Sequence, residues 1–394
     1  MKSVRDIPVE GKRVFVRVDY NLPMDDQGNI TDDNRIQQTL DLIGYLKDRQ
    51  AKIILASHMG RPKGGYDACF SLAPAAAHLS ELLGQTVLFA KDCIGTAVRQ
   101  QVENLQNAQV LMLENLRFHS EEKSNDSGFA KELAALCDVY VNNAFAVSHR
   151  DQASVTGIVA WAPVSVAGFL LEKEVGTYYD SVQNPQRPLV AVIGGAKVSG
   201  KLAALENMLQ FVDQLLIGGA MANTFLSSRG VDIKGSLVET DLKETAARIM
   251  QKAEKKGIDL LLPRDLVAAG AFEKDAPKKT VALDAIPEGW MAMDIGPNTA
   301  EQFSAAIHKA KTIVWNGPMG VFEMPAFLEG TCAVARAIAD ADAVSIVGGG
   351  DTGLAARQCG IVDQVTHVST GGGAFLHLME GKQLPGVAVL EKTG

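Results

Sequence analysis

The sequence predicts an α/β protein of two doubly wound, Rossmann-like parallel-sheet domains joined by a helix. Three observations carry that expectation. At 394 residues the chain exceeds the length at which one hydrophobic core usually keeps growing. Short apolar runs alternate with amphipathic stretches along its whole length, the pattern of strands joined by crossover helices. Polar or glycine-rich turns recur where those runs end, the places at which open parallel sheets gather ligands.

In the first half the runs Val14–Val18, Lys52–Ala56, Val87–Phe89, Val110–Leu113 and Val139–Asn142 read as strands. Ile36, Leu40, Ile43 and Leu46 recur at helical spacing, which predicts a helix over Asp33–Arg49 with Asp32 or Asp33 as its N-cap. In the second half, strands are expected at Leu189–Ile193, Gln214–Ile217, Asp259–Leu262, Thr280–Leu283, Thr312–Trp315, Val344–Val347 and Val365–Ser369, forming a second open parallel sheet. Phe169–Ser181 reads as the joining helix, and the turn chemistry of Asn184–Pro188 ends it. The domains are therefore expected at 1–170 and 171–378.

A net charge of −8 disfavours a nucleic-acid coat, which needs an excess of Lys and Arg on one face. The uncharged stretch from Ser154 to Leu171 has the length of a membrane span. Gly157, Pro163 and Gly168 interrupt it, so a buried segment near a domain junction is expected instead. The five cysteines, at 69, 93, 137, 332 and 359, form no C-x-x-C pair and read as buried thiols in a reducing compartment. The N-terminus carries neither a secretory h-region nor a transit-peptide composition, and the cytoplasm is the expected location.

The two halves differ at their strand ends. The first half places Asp19, Asn21, His58, Arg61, Asn115, Arg117, His149 and Arg150 there, and Arg35 opens the first helix. A lone Arg is more often a solvated surface charge. Arginines recurring at successive strand ends point instead to a small, multiply charged anion, because guanidinium forks match carboxylate and phosphate geometry. The second half carries glycine turns at Gly194–Lys197, Gly218–Ala220, Asn316–Gly320, Gly348–Thr352 and Gly371–Gly373. One such turn commonly serves chain geometry alone; five point to backbone close to a nucleotide, with helix N-termini aimed at its phosphates. Gly195–Lys201 (GAKVSGK) matches seven positions of a P-loop, but Leu202 stands where Ser or Thr would ligate magnesium. The dinucleotide fingerprint is absent after the first strand of either half, against a dehydrogenase. Lys197 and Lys201 are spaced to project from one side of a turn entering a helix.

The words RVDYN (17–21), SHMGRP (57–62), ENLRF (114–118), IGGAKVSGK (193–201), DIGP (294–297), WNGPMGVFE (315–323), GGGDT (348–352) and STGGGA (369–374) resemble those of the phosphoglycerate kinase family, in family order along almost the whole chain. The resemblance implies that the first domain binds 3-phosphoglycerate or 1,3-bisphosphoglycerate. Asp19 and Asn21 would meet its hydroxy-acid part, and Arg35, His58, Arg61, Arg117 and Arg150 its charged groups. It also implies that the second domain binds ADP or ATP through Gly195, Lys197, Lys201, Gly218, Asn316, Pro318, Glu323 (ribose), Gly349, Gly350, Asp351 and Thr352, with Asp351 on Mg²⁺. Arg35, Lys197 and the N–H groups of Gly371, Gly372 and Gly373 would meet the transferring phosphoryl group, brought together by hinge bending. A tail, 379–394, packing on the first domain and a monomeric state are further expectations. The sequence departs from the usual family words at Asn142–Ser148, Arg264 and Ala292. A binding-only scaffold is the rival reading, disfavoured by the presence of Arg35, Lys197, Lys201 and Asp351.

Overall fold

The computed structural model describes residues 1–25 and 27–393. Chain contacts divide it into two compact units, Met1–Val175 with the segment from Gln383 onward, and Gly176–Lys382.

In the first unit, β1 (Arg13–Arg17), β2 (Lys52–Ala56), β3 (Val87–Phe89), β4 (Val110–Met112), β5 (Val139–Asn142) and β6 (Ser165–Ala167) form one sheet. Their order is β3, β4, β2, β1, β5, β6, and every pairing is parallel. Helices cover its faces, so the strands are apolar almost throughout; four of the five β1 residues are buried. Val14, Val16, Ile53 and Leu55 pack there against Ile36, Ile43, Leu46 and Leu79. Strand order reverses between β1 and β5, which opens a crevice at their carboxyl ends.

The second unit contributes β7 (Leu189–Ile193), β8 (Gln214–Ile217), β9 (Asp259–Leu261), β10 (Asp265–Ala269), β11 (Lys278–Ala282), β12 (Met291–Ile295), β13 (Thr312–Asn316), β14 (Val344–Val347) and β15 (His367–Val368). Six of them make a parallel sheet in the order β15, β14, β13, β7, β8, β9, with its reversal between β13 and β7. Trp315, Phe303, Val334 and Ile338 belong to its core.

Several expectations are corrected. The strand expected at Thr280–Leu283 is β11, and it lies outside the second parallel sheet, in a three-stranded antiparallel sheet ordered β11, β10, β12. No helix intervenes between Asp265 and Ile295, and without a crossover helix successive strands pair antiparallel. The helix over 33–49 is two, Asn34–Gln37 and Leu40–Asp48. Thr39 separates them: its hydroxyl donates to Ile36 O at 2.7 Å and meets the Tyr20 hydroxyl at 2.6 Å. Asp33 occupies the N-cap position without capping; its carboxylate pairs with His78 Nε2 at 2.9 Å.

The run 154–171 is largely buried and contains the turn Gly157–Ala160 and β6. Among the described residues no helix is long and apolar enough to cross a membrane. The joining helix spans Phe169–Tyr178 and continues as a π-turn, Tyr179–Gln183. The terminal helix Pro385–Thr393 packs on β6 within the first unit, and Gly386 N donates to Ser148 O at 2.9 Å.

Of the cysteines, only Cys93 and Cys137 are buried thiols; Cys69 is exposed and Cys332 is disulfide-bonded to Cys359. Spacing along the chain gave no hint of that pair. It joins the helix Glu329–Asp340 to the C-cap of the helix Gly350–Gln358, with the Cα atoms 5.3 Å apart. Alkylation of the unreduced, denatured protein should therefore label the three free thiols, and labelling after reduction should reach all five cysteines. Five labels without reduction would remove the disulfide.

Candidate functional site

The crevice at β1 and β5 holds the cationic half-site. Arg35 Nη1 donates to Asp19 Oδ2 at 2.7 Å. Asn21 Oδ1 accepts from Gly60 N at 2.8 Å, and Arg117 Nη1 donates to Gly60 O at 2.7 Å. Gly60 has φ +59°, and a Cβ there would strike the Phe70 ring, so SHMGRP requires glycine at this turn. Arg150 Nε lies 3.3 Å from His149 Nε2. Burial first, and then the charges of Arg17, Arg117, Arg150 and Arg35, hold the pKa of the His58 ring well below the usual histidine value.

Desolvation first, then Arg150 and Arg17, pushes Arg117 down to about 10. Arg150 is lowered by the same kind of crowding, chiefly burial, against an opposing effect of Asp19. Mutually repelling, partly buried cations are the charge pattern of an anion site. Arg117 Nε, moreover, is buried with no hydrogen-bond partner among the described residues. Arg61 is exposed and contributes charge at the rim, near Arg150.

Asn115 is not part of this rim. Its amide donates to Met59 O and Phe70 O and its Oδ1 accepts from Arg117 N, so it shapes the loops that carry Arg117. Arg17, conversely, belongs to the site, although its place in a strand hides this in the sequence. The signal was a charge closing the apolar strand RVFVR, at a position that proves to be 0% exposed.

In the second unit a cavity of about 350 Å³ is lined by Gly195, Ala292, Asp294, Pro318, Glu323 and Asp351 among others. Its walls are mainly apolar, Leu237, Leu266, Met291 and Phe272 included, as a flat heteroaromatic ring requires. Glycine turns interlock at the β7/β13 reversal: Gly194 N donates to Asn316 O, Gly195 N to Pro318 O and Gly219 N to Met319 O, at 2.9–3.0 Å. These N–H groups hold turn to turn, so the glycines at 194, 195 and 219 serve close backbone approach. A Cβ on Gly219 would collide with the Gly195 and Pro318 backbones.

The N–H groups suited to phosphate are those opening the helices Gly350–Gln358 and Gly372–Met379, whose first turns have no intrahelical acceptor. The two openings adjoin, since a Cβ on Gly372 would come to 3.0 Å from Gly350 N. Gly371 N is turned to Ser369 Oγ, and Thr352 Oγ1 accepts from Gly317 N at 2.7 Å. Asn316 Nδ2 donates to Gly348 O, fastening the turn before Gly349.

Lys197 and Lys201 do not project together. Lys197 is exposed, whereas Lys201 turns inward and donates to Gly194 O at 2.7 Å and Asn316 O at 2.9 Å. Burial pushes Lys201 down to about 8, against the pull of Asp351. Asp351 is an exposed carboxylate in the first turn beside the glycine backbone, a hard oxygen donor that fits Mg²⁺. Asp92, Cys93 and His119 in the first unit also offer ligand atoms within 4.8 Å of one another. Asp92 and His119 already satisfy each other at 2.7 Å, and the buried Cys93 thiol is pushed well up, so this trio does not fit Mg²⁺.

A phosphate that prefers protonated Lys201 should bind with proton uptake near pH 8. ADP affinity should then fall as pH rises from about 7 to about 9, and calorimetry in buffers of different ionisation enthalpy should detect the proton; no proton uptake would contradict the assignment. Burial raises Asp294 to about 7, although Gly330 N and Ile295 N donate to it. Its folded pKa thus exceeds the unfolded value of about 3.9, so its stabilising effect is complete below about pH 4 and lost as pH rises through about 7. The Tm of Asp294→Asn relative to the unsubstituted protein should rise between about pH 5 and about pH 8; a constant difference would refute this.

A family model described as phosphoglycerate kinase matches residues 4–382. The chain is 61% identical over 391 residues to phosphoglycerate kinase of Desulforapulum autotrophicum, covering 99% of this chain and 100% of that one. It is 53% identical over 383 residues to that of Geotalea uraniireducens, covering 97% and 96%. Among solved structures, phosphoglycerate kinase from Coxiella burnetii aligns with a TM-score of 0.91 at 41% identity, covering 100% of this chain and 99% of that one. The Pyrococcus horikoshii structure gives 0.86 at 34%, with the same coverage. The chain belongs to the phosphoglycerate kinase family.

Proposed function

We propose that the protein catalyses reversible phosphoryl transfer between 1,3-bisphosphoglycerate with ADP and 3-phosphoglycerate with ATP. The observation that carries this reading is the pairing of two unlike half-sites. One is a cluster of crowded arginines around His58 with a buried Arg117 Nε that has no hydrogen-bond partner among the described residues; the other is an apolar cavity ending at two adjoining helix N-termini. A small polyanion suits the first and a nucleotide the second.

In the direction of ATP consumption the nucleophile is a carboxylate, already ionised, so no general base is needed. An oxygen–phosphorus bond forms to the terminal phosphate as its bond to the bridging oxygen breaks, and that oxygen leaves with ADP. Charge spreads over the equatorial oxygens of the transferring group. Asp19 and Asn21 orient the acid, His58, Arg61, Arg117 and Arg150 hold its charged groups, and Arg35 and Lys197 neutralise the transferring group. N–H groups at Gly372, Gly373 and Gly349–Thr352 donate to phosphate oxygens, Lys201 adds charge, and Glu323 meets the ribose. Asp351 would hold Mg²⁺ with the nucleotide, where the ion supplies further charge neutralisation. Each unit holds one substrate, so in-line transfer requires hinge closure. The reading also assigns the protein to the cytoplasm, working as a monomer on these small molecules.

A coupled assay with 3-phosphoglycerate, Mg-ATP and an acyl-phosphate-consuming dehydrogenase tests it. The unsubstituted protein should turn over, and Arg35→Ala should lose about a hundredfold in kcat. Nucleotide binding without turnover would favour a binding-only scaffold.

A further inference from the structure

Glu122 lies outside every word given a role above, yet it is fully buried. Its Oε2 accepts from Ser154 N at 2.9 Å and its Oε1 from Ser154 Oγ at 2.6 Å. With its proton committed to Glu122, the Ser154 hydroxyl accepts from Arg17 Nε at 2.8 Å. Arg17, also fully buried, donates from Nη1 to Val18 O and places Nη2 3.2 Å from His58 Nδ1. A guanidinium offers donors only, so Nδ1 is the acceptor and the ring proton sits on Nε2. His58 Nδ1 and Asp19 Oδ1, 3.7 Å apart, are then two acceptors and form no ion pair. Nε2–H becomes the donor that His58 can offer an anion.

We propose that Glu122 is a positioning residue for the three-carbon acid: through Ser154 it fixes Arg17, and through Arg17 it holds His58 as the Nε2–H tautomer. This rests on the function proposed above. The competing role is a purely structural one, a buried carboxylate that offsets the Arg17 charge. Burial raises the Glu122 pKa while Arg17 and the Ser154 donors oppose it, so the carboxylate and the guanidinium depend on each other. The chain of contacts then continues from Arg17 to a ring in the anion site, which a purely structural pair would not require.

The test uses protein carrying ¹⁵N-labelled histidine, with Glu122→Gln and Ser154→Ala as variants. Ser154→Ala breaks the link while leaving both charges in place, and it decides the matter if Glu122→Gln does not fold. In the unsubstituted protein, His58 should show a protonated Nε2 and an unprotonated Nδ1. In each variant that pattern should change, and KM for 3-phosphoglycerate should rise by about tenfold while KM for Mg-ATP stays within about twofold. A lowered Tm with an unchanged His58 spectrum and unchanged KM would reduce Glu122 to a structural role and overturn the proposal. If 3-phosphoglycerate does not move the His58 resonances of the unsubstituted protein, the functional reading itself fails, and this inference with it.

Discussion

Arg17 carries a permanent positive charge where no solvent reaches it, and the cationic half-site is organised around that charge. A buried guanidinium persists only if each of its three nitrogens finds an acceptor and a carboxylate lies near. Ser154, the Val18 carbonyl and His58 supply the acceptors, and Glu122 supplies the carboxylate. Burial, with the Arg17 charge adding to it, holds the His58 pKa well below its usual value, and burial together with Arg150 and Arg17 lowers that of Arg117. Asp19 balances the outer edge by accepting from Arg35. What remains is a surplus of cations, which an anion of several charges would relieve.

The nucleotide half is built on backbone rather than side-chain charge. Turns after β7, β8 and β13 approach so closely that a Cβ at Gly219 would not fit. Their N–H groups are spent on each other, and the phosphate donors lie instead at the openings of two helices. Lys201 shows how tightly the turns close, since its ammonium is drawn inward onto two carbonyls and loses part of its proton affinity to burial. Both half-sites sit where strand order reverses, between β1 and β5 and between β7 and β13.

Much of this is legible in the sequence alone. Strands buried on both faces are continuous apolar runs, so Lys52–Ala56 and Leu189–Ile193 were placed to the residue. The strand-end arginines stood out because their type recurs. What stayed hidden depends on tertiary partners. The break at Thr39 needs the Tyr20 hydroxyl, and the antiparallel placement of β11 needs β10, whose sequence carries no distinct strand signal of its own. The Cys332–Cys359 pair needs the packing of two helices. Arg17 reads as a strand end until the chain folds over it, and only Ser154, 137 residues away, reveals where Glu122 belongs.

The central claim is a division of labour, with the acid on one unit and the nucleotide on the other. Amide chemical shifts recorded with each ligand alone test it most directly. The account predicts that 3-phosphoglycerate moves resonances of residues 19–21, 58–61, 117 and 150, while Mg-ADP moves those of 195–201, 318–323 and 349–352. Both ligands perturbing the same unit, or 3-phosphoglycerate perturbing neither, would contradict it.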